Sequence, residues 1–553
     1  MRDADDSFDY VIVGAGSAGC VLANRLTEDP DISVLLVEAG GRDSNPFMRM
    51  PLGWRQVWRG PKDNWGYYSE PEPHCGNRRI FLPRGKVLGG TSSINGMLYV
   101  RGHPLDYDLW RQQGCVGWSY ADVLPYFKRA EGGYRGNTAE HGTDGPLGVS
   151  RNDVKNLGFD LIHQTAINAG LPMSGDFAVE PEGFGVVDIT VKNGRRSSTA
   201  QVYLKPARSR PNLTVVTNAL TRRVVLEGRR VTGIEYDRGD RTTFVRARRE
   251  VIVCGGSYNS PQLLLLSGIG PAAELRAVGV APLHDLPGVG KNLSEHVSVP
   301  IHFEISDPIS FLTRLRFDRV AMSVLEWAIS GTGDMANQAL TALAFMRTRP
   351  EIARPDVQLF FNPVRMDAEI WFPLIKPSQA HMLEAYVELL RPESRGQVTL
   401  ASTDPAAAPK ILLNILDRGE DLATLRRGVR LMRSIYATRP LADHIVRETY
   451  PGPETQSDAT LDAYLRDAAE IGHHPVGTCA MGTGPLAVVD PELRVHGLDG
   501  LRVVDASIMP EVPSGNTNAP TIMIAERAAD LIRGRSISET GGQAGHRREV
   551  GVA

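Results

Sequence analysis

The first readable segment of the chain is an unbroken apolar run, Tyr10-Val11-Ile12-Val13, which predicts a strand buried on both faces. A glycine-rich turn follows, then a helical period from about Ser17 to Thr27, then a second apolar strand, Val34 to Val37, ending in Glu38. That order is one βαβ unit of a parallel sheet. Residues 213–253 carry shorter runs, LTVVT, RRVVLEG and VTGIEY, separated by turn residues, and predict a β-meander. The stretch GSYNSPQLLLLSGIG, Gly256 to Gly270, predicts a helix with Ser260 as N-cap, Pro261 at its first position and Gly268 past its end. Between Arg49 and Glu140, glycine, proline and tryptophan predict loops. From about 305 to 390, Phe, Met and Leu predominate and a break at 329–333 interrupts them, which suggests a separate layer. An amphipathic helix is predicted from about Asp421 to Tyr436, and the polar tail after Gly534 is expected to be mobile.

Length changes this picture: 553 residues exceed a single hydrophobic core. With no internal repeat and no long linker, the segments are expected to interleave in one unit. A net charge of −3 leaves no electrostatic footprint for nucleic acid or an anionic membrane. The five cysteines are odd in number and form no C-x-x-C pair, which argues against a disulfide framework and a zinc site. The acidic N-terminus MRDADDSFDY has no apolar core of a secretion signal, so a cytoplasmic location is expected. The longest uncharged run, Val251 to Ala273, is broken by Gly255, Gly256, Asn259, Pro261 and Gly268, and predicts strand, turn and helix rather than a membrane span.

The chemistry begins at Gly14-Ala15-Gly16-Ser17-Ala18-Gly19, a G-x-G-x-x-G between predicted strand and helix, with Glu38 nineteen residues beyond. Gly14 allows the tight turn, Gly16 lets backbone approach a pyrophosphate, and Gly19 lets helix and strand pack closely. Glu38 can accept hydrogen bonds from a ribose diol. The motif binds a dinucleotide and does not itself choose between NAD and FAD. A second segment, RGKVLGGTSSINGMLYVRG from Arg84 to Gly102, sets many backbone N–H groups and little side-chain bulk against a ligand. Near the C-terminus, IGHHPVGTCAMG from Ile471 places two histidines side by side, and adjacent residues point in different directions.

The two long segments, the HPVGT turn and LRVVDASIMP from Leu501 together resemble the signatures of the glucose–methanol–choline (GMC) oxidoreductases, in order and over nearly the whole chain. The closest pattern is that of the bacterial alkanol and choline dehydrogenase branch. The resemblance implies an α/β fold: a doubly wound, Rossmann-like FAD-binding domain with an interleaved substrate-binding domain, an antiparallel sheet with helices. It divides the chain into a discontinuous FAD-binding part (1–155, 206–304 and 485–540), a substrate-binding part (156–205 and 305–484) and a flexible tail (541–553). The FAD contacts it implies begin with Gly14, Gly16, Ser17, Ala18, Gly19, Glu38 and Ala39 around the adenosine diphosphate half. Val87, Gly89, Gly90, Ser92, Asn95, Gly96 and Met97 then fall on the flavin side. Val224 is implied at the adenine through its backbone, with Asp505, Ala506, Asn518 and Thr521 in the late segment. Where some choline oxidases carry a histidine linked to the flavin, this chain has Ile94, so FAD is expected to be non-covalent.

The family's catalytic histidine falls on His474, and its partner, a His or Asn near the C-terminus, on Asn518. His473 is assigned to structure or to the rim of the substrate pocket. No metal is expected, because adjacent histidines do not converge on one ion and no carboxylate or cysteine completes a set. The helix from Asn518 is expected to point its N-terminus at the flavin's pyrimidine edge. Substrate contacts are expected among Trp65, Met335, Phe360, Phe361, Asn362 and His473. The apolar stretch 305–345 favours an aliphatic or aromatic primary alcohol over a sugar or a quaternary ammonium. The acceptor is expected to be quinone-like, with oxygen as the alternative and a redox-silent lyase as a further one. The location allows a peripheral contact at the inner membrane, and the assembly a homo-oligomer.

Overall fold

The structure, a computed structural model, describes residues 7–373 and 375–535; the expected tail 541–553 lies outside the described residues. Two seven-stranded sheets organise the chain. In chain order their strands are β1 (Ser7–Val13), β2 (Val34–Val37), β3 (Gly183–Gly185), β4 (Leu213–Val216), β5 (Leu220–Glu227), β6 (Arg230–Arg238), β7 (Arg241–Val253), β8 (Val297–Ile305), β9 (Ala342–Met346), β10 (Val357–Asn362), β11 (Met382–Leu389), β12 (Ile445–Tyr450), β13 (Glu470–Ile471) and β14 (Leu501–Val503). The principal helices are α1 (Ser17–Leu26), α2 (Tyr120–Ala130), α3 (Gly256–Leu266), α4 (Phe317–Ser330), α5 (Gly419–Tyr436) and α6 (Asn518–Arg533).

The first sheet runs β4-β2-β1-β7-β6-β5, with β14 also on β7. β4, β2, β1, β7 and β14 are parallel, and β5, β6 and β7 form an antiparallel meander. The expected β1–α1–β2 unit is present. LTVVT differs: as β4 it pairs in parallel with β2 and is not part of the meander. The parallel strands are fully apolar because helices cover them; α1 packs on α6, and α6 on α2. Gly19 permits the tight turn onto α1, since a Cβ there would stand 1.9 Å from the Gly14 carbonyl oxygen.

The second sheet, β12-β8-β11-β10-β9-β3 with β13 on β8, is antiparallel throughout. Helix α5 covers β10 and β11 on one face. Gly428 brings it close: a Cβ there would meet Val387 Cγ1 at 2.5 Å. β8 lies wholly in this sheet, so the expected boundary at 304 belongs before Val297.

Helix α3 begins five residues earlier than the Ser260-Pro261 signature suggests. Pro261 sits inside it and cannot donate to the Ser257 carbonyl, which instead accepts the Thr478 hydroxyl at 2.7 Å. Ser260 Oγ accepts from the Gly255 N–H (2.9 Å) and donates to Asp505 Oδ2 (2.6 Å). Asp505 also accepts the Gly256 N–H, so a distant carboxylate caps this helix. Gly268, at φ +75°, lies past its end as expected.

Candidate active site

The parallel strands β1, β2 and β7 end at one side of the first sheet, beside the Asp505 turn that follows β14. There the chain encloses a cavity of about 370 Å³, with Val13, Val37, Cys254 and Asp505 in its wall. This is where doubly wound sheets bind ligands, beyond the carboxyl ends of the strands. At one end the wall is Glu38, Ala39 and residues 219–221; in the middle it is Gly14, Gly16, Ser17, Ala18 and Gly90. The far end carries Asn95, Gly96, Met97, Ala506, Asn518 and Thr521 beside the two histidines.

The middle of the cavity is built for an anion. α1 has Gly16 as N-cap and no side-chain cap, which leaves its first N–H groups available. Gly16 faces open space, with a Cβ built there meeting only the Cys254 carbonyl oxygen at 3.9 Å. Glu38 is fixed by the Ala15 and Gly40 N–H groups (2.9 and 2.7 Å); burial, against those bonds and Lys86, pushes its carboxyl up to about 7. Uncapped amides, a glycine cradle and a carboxylate at the diol end fit the diphosphate and ribose of FAD.

Several expected contacts stand behind this wall rather than in it. Gly19 packs helix on strand, and Val87 is buried with Met48, Val57 and Ile94. Ser92 donates to the Gly89 carbonyl (2.6 Å) and accepts the Thr199 N–H (3.1 Å), holding the loop from behind. Val224 is turned away: its N–H donates to Ser267 Oγ, and residues 219–221 line the cavity in its place. Of the expected substrate contacts, Trp65, Phe360 and His473 reach the cavity. Phe361, next along β10, faces the opposite side and packs on Phe184 and Tyr436. Met335 packs under α4 with Met50 and Trp327, and Asn362 is buried at the end of β10 outside the cavity wall.

The paired histidines diverge because His473 has φ +65°, a left-handed conformation unusual for a residue with a side chain. Its ring meets Trp58 edge-on at 5.4 Å, and its carbonyl accepts from Arg84 Nη2 at 2.8 Å. Burial, and then Arg84, lowers the His473 ring to about 3. His474 turns the other way, with Nδ1 3.0 Å from Nδ1 of His296 and Nε2 2.9 Å from Nδ2 of Asn516.

These contacts fix the protons. His296 Nε2 lies 3.1 Å from the Leu390 carbonyl, which only accepts, so this nitrogen carries the hydrogen. Neutral His296 then offers a lone pair at Nδ1, and His474 must donate to it from its own Nδ1. His474 Nε2 is left with a lone pair, which takes the Asn516 amide hydrogen. Neutrality is enforced: burial lowers His296 to about 3 and holds His474 well below its usual value, aided by His296, His473 and Arg84. The His474 backbone N–H donates to Glu295 Oε1, anchoring the turn.

Asn516, not Asn518, is therefore the histidine's partner. Thr517 caps α6, so Asn516 precedes the helix and reaches across, whereas Asn518 is its first residue and accepts the Ser17 hydroxyl at 2.8 Å. Besides Asn516, two more residues absent from the sequence reading stand beside His474: His296 and Glu388, whose carboxylate Oε1 is 3.9 Å from His474 Nδ1. A carboxylate does complete a possible ligand set in space, contrary to the sequence expectation.

Glycine cradle, Rossmann-type sheet and a neutral histidine on one cavity are the features of a dinucleotide-binding oxidoreductase site. The GMC oxidoreductase family models match residues 8–298 and 392–525. The chain is 45% identical over 534 residues to an oxygen-dependent choline dehydrogenase of Sinorhizobium fredii, covering 95% of this chain and 96% of that one. A Brucella ovis protein of the same description is 44% identical, with 96% of each covered. Among solved structures, pyridoxine 4-oxidase from Mesorbium loti superposes with a TM-score of 0.86 at 31% identity, covering 96% of this chain and 100% of that one. Formate oxidase from Aspergillus oryzae RIB40 gives 0.88 at 26%, covering 96% and 99%. The chain belongs to the GMC oxidoreductase family and is an FAD-dependent oxidoreductase acting on alcohols. Among the described residues no helix is long and apolar enough to cross a membrane.

Proposed function

We propose that this enzyme oxidises a primary alcohol to its aldehyde, with His474 as general base. The observation that carries the reading is the lone pair at His474 Nε2, directed by the Leu390–His296 relay toward Asn516 and the cavity. An alcohol that takes the place of the Asn516 amide hydrogen at Nε2 gives its hydroxyl proton to that nitrogen, so that the O–H bond breaks and an N–H bond forms. The Asn516 amide donates to the substrate oxygen and holds it there; an amide cannot exchange the proton, so His474 carries the acid–base work alone. Bound FAD supplies the two-electron acceptor for the hydride that leaves the carbinol carbon. Gly14, Gly16, Ser17, Glu38, Gly90 and residues 95–97 would hold it, and Ile94 offers no atom for a covalent link.

The substrate is read as a neutral aliphatic or aromatic alcohol. Trp54, Trp58, Trp65 and Phe360 make the pocket apolar. Two of those rings already carry cations, Arg59 over Trp58 (5.1 Å) and Lys86 over Trp65 (4.5 Å), which disfavours a further quaternary ammonium. Choline is the second reading, supported by the names of the 44–45% identical relatives. A quinone-like acceptor is proposed for reoxidation, with oxygen as its competitor because two structural neighbours are named oxidases. Anaerobic mixing with a panel of primary alcohols that includes choline tests both points. Bleaching of the flavin by benzylic or alkyl alcohols but not choline supports the first reading, and admission of air or a quinone then ranks the acceptors. A flavin left oxidised by every alcohol would refute the function.

A further inference from the structure

Glu388 is the unexplained group beside the catalytic histidine. It projects from β11 and is 2% exposed. Its Oε1 has no hydrogen-bond partner, yet lies 3.6 Å from His296 Nδ1 and 3.9 Å from His474 Nδ1. Gly472 leaves room for the carboxyl, since a Cβ there would stand 2.5 Å from Glu388 Oε2. A buried carboxyl with an unpaired oxygen is costly unless the surroundings use it. The three side chains could hold a metal ion. However, the two Nδ1 atoms are 3.0 Å apart, a hydrogen-bond length that a shared proton explains without an ion.

We propose that Glu388 is a positioning residue for proton uptake: as the carboxylate it stands beside the proton shared by His474 and His296 and holds the positive charge that His474 gains from the alcohol. This inference rests on His474 being the base. When the alcohol proton arrives at Nε2, the His474–His296 pair becomes a cation with no other carboxylate within 4 Å of its Nδ1 atoms among the described contacts. Ionised Glu388 neutralises that charge and so strengthens His474 as a base. No atom is transferred to Glu388; its role is electrostatic.

The titratable and charged groups facing the cluster are Glu295, His473 and Arg84, besides the histidine pair itself. Burial, then the charge of Glu295, pushes the Glu388 carboxyl up to about 8. The neutral form therefore dominates below that pH and the working carboxylate builds above it. His474 is held well below its usual value and adds no titration there. Burial also pushes Glu295 to about 8, so it needs its own control.

The test is the anaerobic rate of flavin reduction at saturating alcohol from pH 6 to 10, with bound flavin quantified in each variant and divalent metals assayed in the purified protein. Wild type is expected to rise through an ionisation near pH 8. Glu388→Gln should lose that limb and run about tenfold to a hundredfold slower on the alkaline side, less than the roughly 10²–10⁴-fold worth of the base it supports. Glu295→Gln should keep the limb, and Glu388→Asp, which keeps the charge, should keep it at a lower rate. A Glu388→Gln profile that overlays wild type overturns the proposal, as does a Glu388→Asp profile without the limb, or stoichiometric metal in the protein. Failure of the wild type to reduce its flavin with any alcohol refutes the proposed function instead, so the two failures are distinguishable.

Discussion

His474 is the proposed base, and its neighbours agree on where its protons sit: Leu390 and His296 claim one side of the relay, and Asn516 meets the Nε2 lone pair on the other. His474→Ala should keep its flavin and lose about 10²–10⁴-fold in the anaerobic reduction rate, the usual worth of a positioned base. Partial recovery is expected at high pH, where alkoxide is more available. His473→Ala should cost far less, since its ring packs on Trp58 and its backbone, not its ring, holds Arg84. The two asparagines should separate in the same assay. Asn516→Ala should slow reduction about fivefold to tenfold, the worth of one hydrogen bond near 1 kcal/mol, with flavin retained. Asn518→Ala loses the Ser17 contact and should act on flavin affinity instead; a larger rate loss from it at full flavin occupancy would reverse their roles. At Ile94, acid precipitation of the yellow protein should leave the flavin in solution, and flavin on the pellet would contradict the non-covalent reading. His474 was legible in the sequence because its turn is local. His296, just before β8, and Glu388, on β11, were not, because both reach it from segments far along the chain.

At the scale of elements, α6 is tied to α1 and α2 by one fully buried carboxylate. Glu526 pairs with Arg25 (2.8 Å) and Arg129 (2.8 Å) and accepts the Tyr203 hydroxyl. Burial alone would raise its pKa, but the two arginines hold it below the usual carboxylate range. A carboxyl depressed in the folded state adds stability above its unfolded pKa of about 4.3, lost as pH falls through the folded value. Glu526→Gln should cost up to about 3 kcal/mol at pH 7, because two partly buried arginines lose their shared buried carboxylate and keep only Asp530 and Glu28; denaturant unfolding checks it. Gly428→Ala should destabilise by about 1–3 kcal/mol through overpacking of α5 on Val387. Elements whose period is internal, α1, β2, α5 and α6, were readable from sequence to within a residue or two, while β1 starts three residues before the predicted apolar run. β4 was not, since nothing in LTVVT says that its partner is β2. The start of α3 was masked by a Ser-Pro pair that imitates an N-cap, whereas its cap comes from Asp505.

On the whole-molecule scale, the two sheets meet at the cavity, and each supplies half of the chemistry. The first sheet offers the uncapped helix and glycine cradle; the second carries Phe360 and Glu388 and flanks His296 and His474. Family-scale signatures made the cofactor side legible, as they are continuous in sequence. The substrate side was less so, because strand alternation sends Phe360 to the cavity and Phe361 to the core, and an apolar run does not show which way it faces. The central claim is that an alcohol's proton goes to His474 as its hydride leaves. The most direct test is the anaerobic flavin-reduction rate with a primary alcohol and its α-dideuterated form, in wild type and His474→Ala at equal flavin content. Wild type should bleach its flavin with a clear deuterium effect, and His474→Ala should fall by at least about a hundredfold. Equal rates in the two proteins would contradict it.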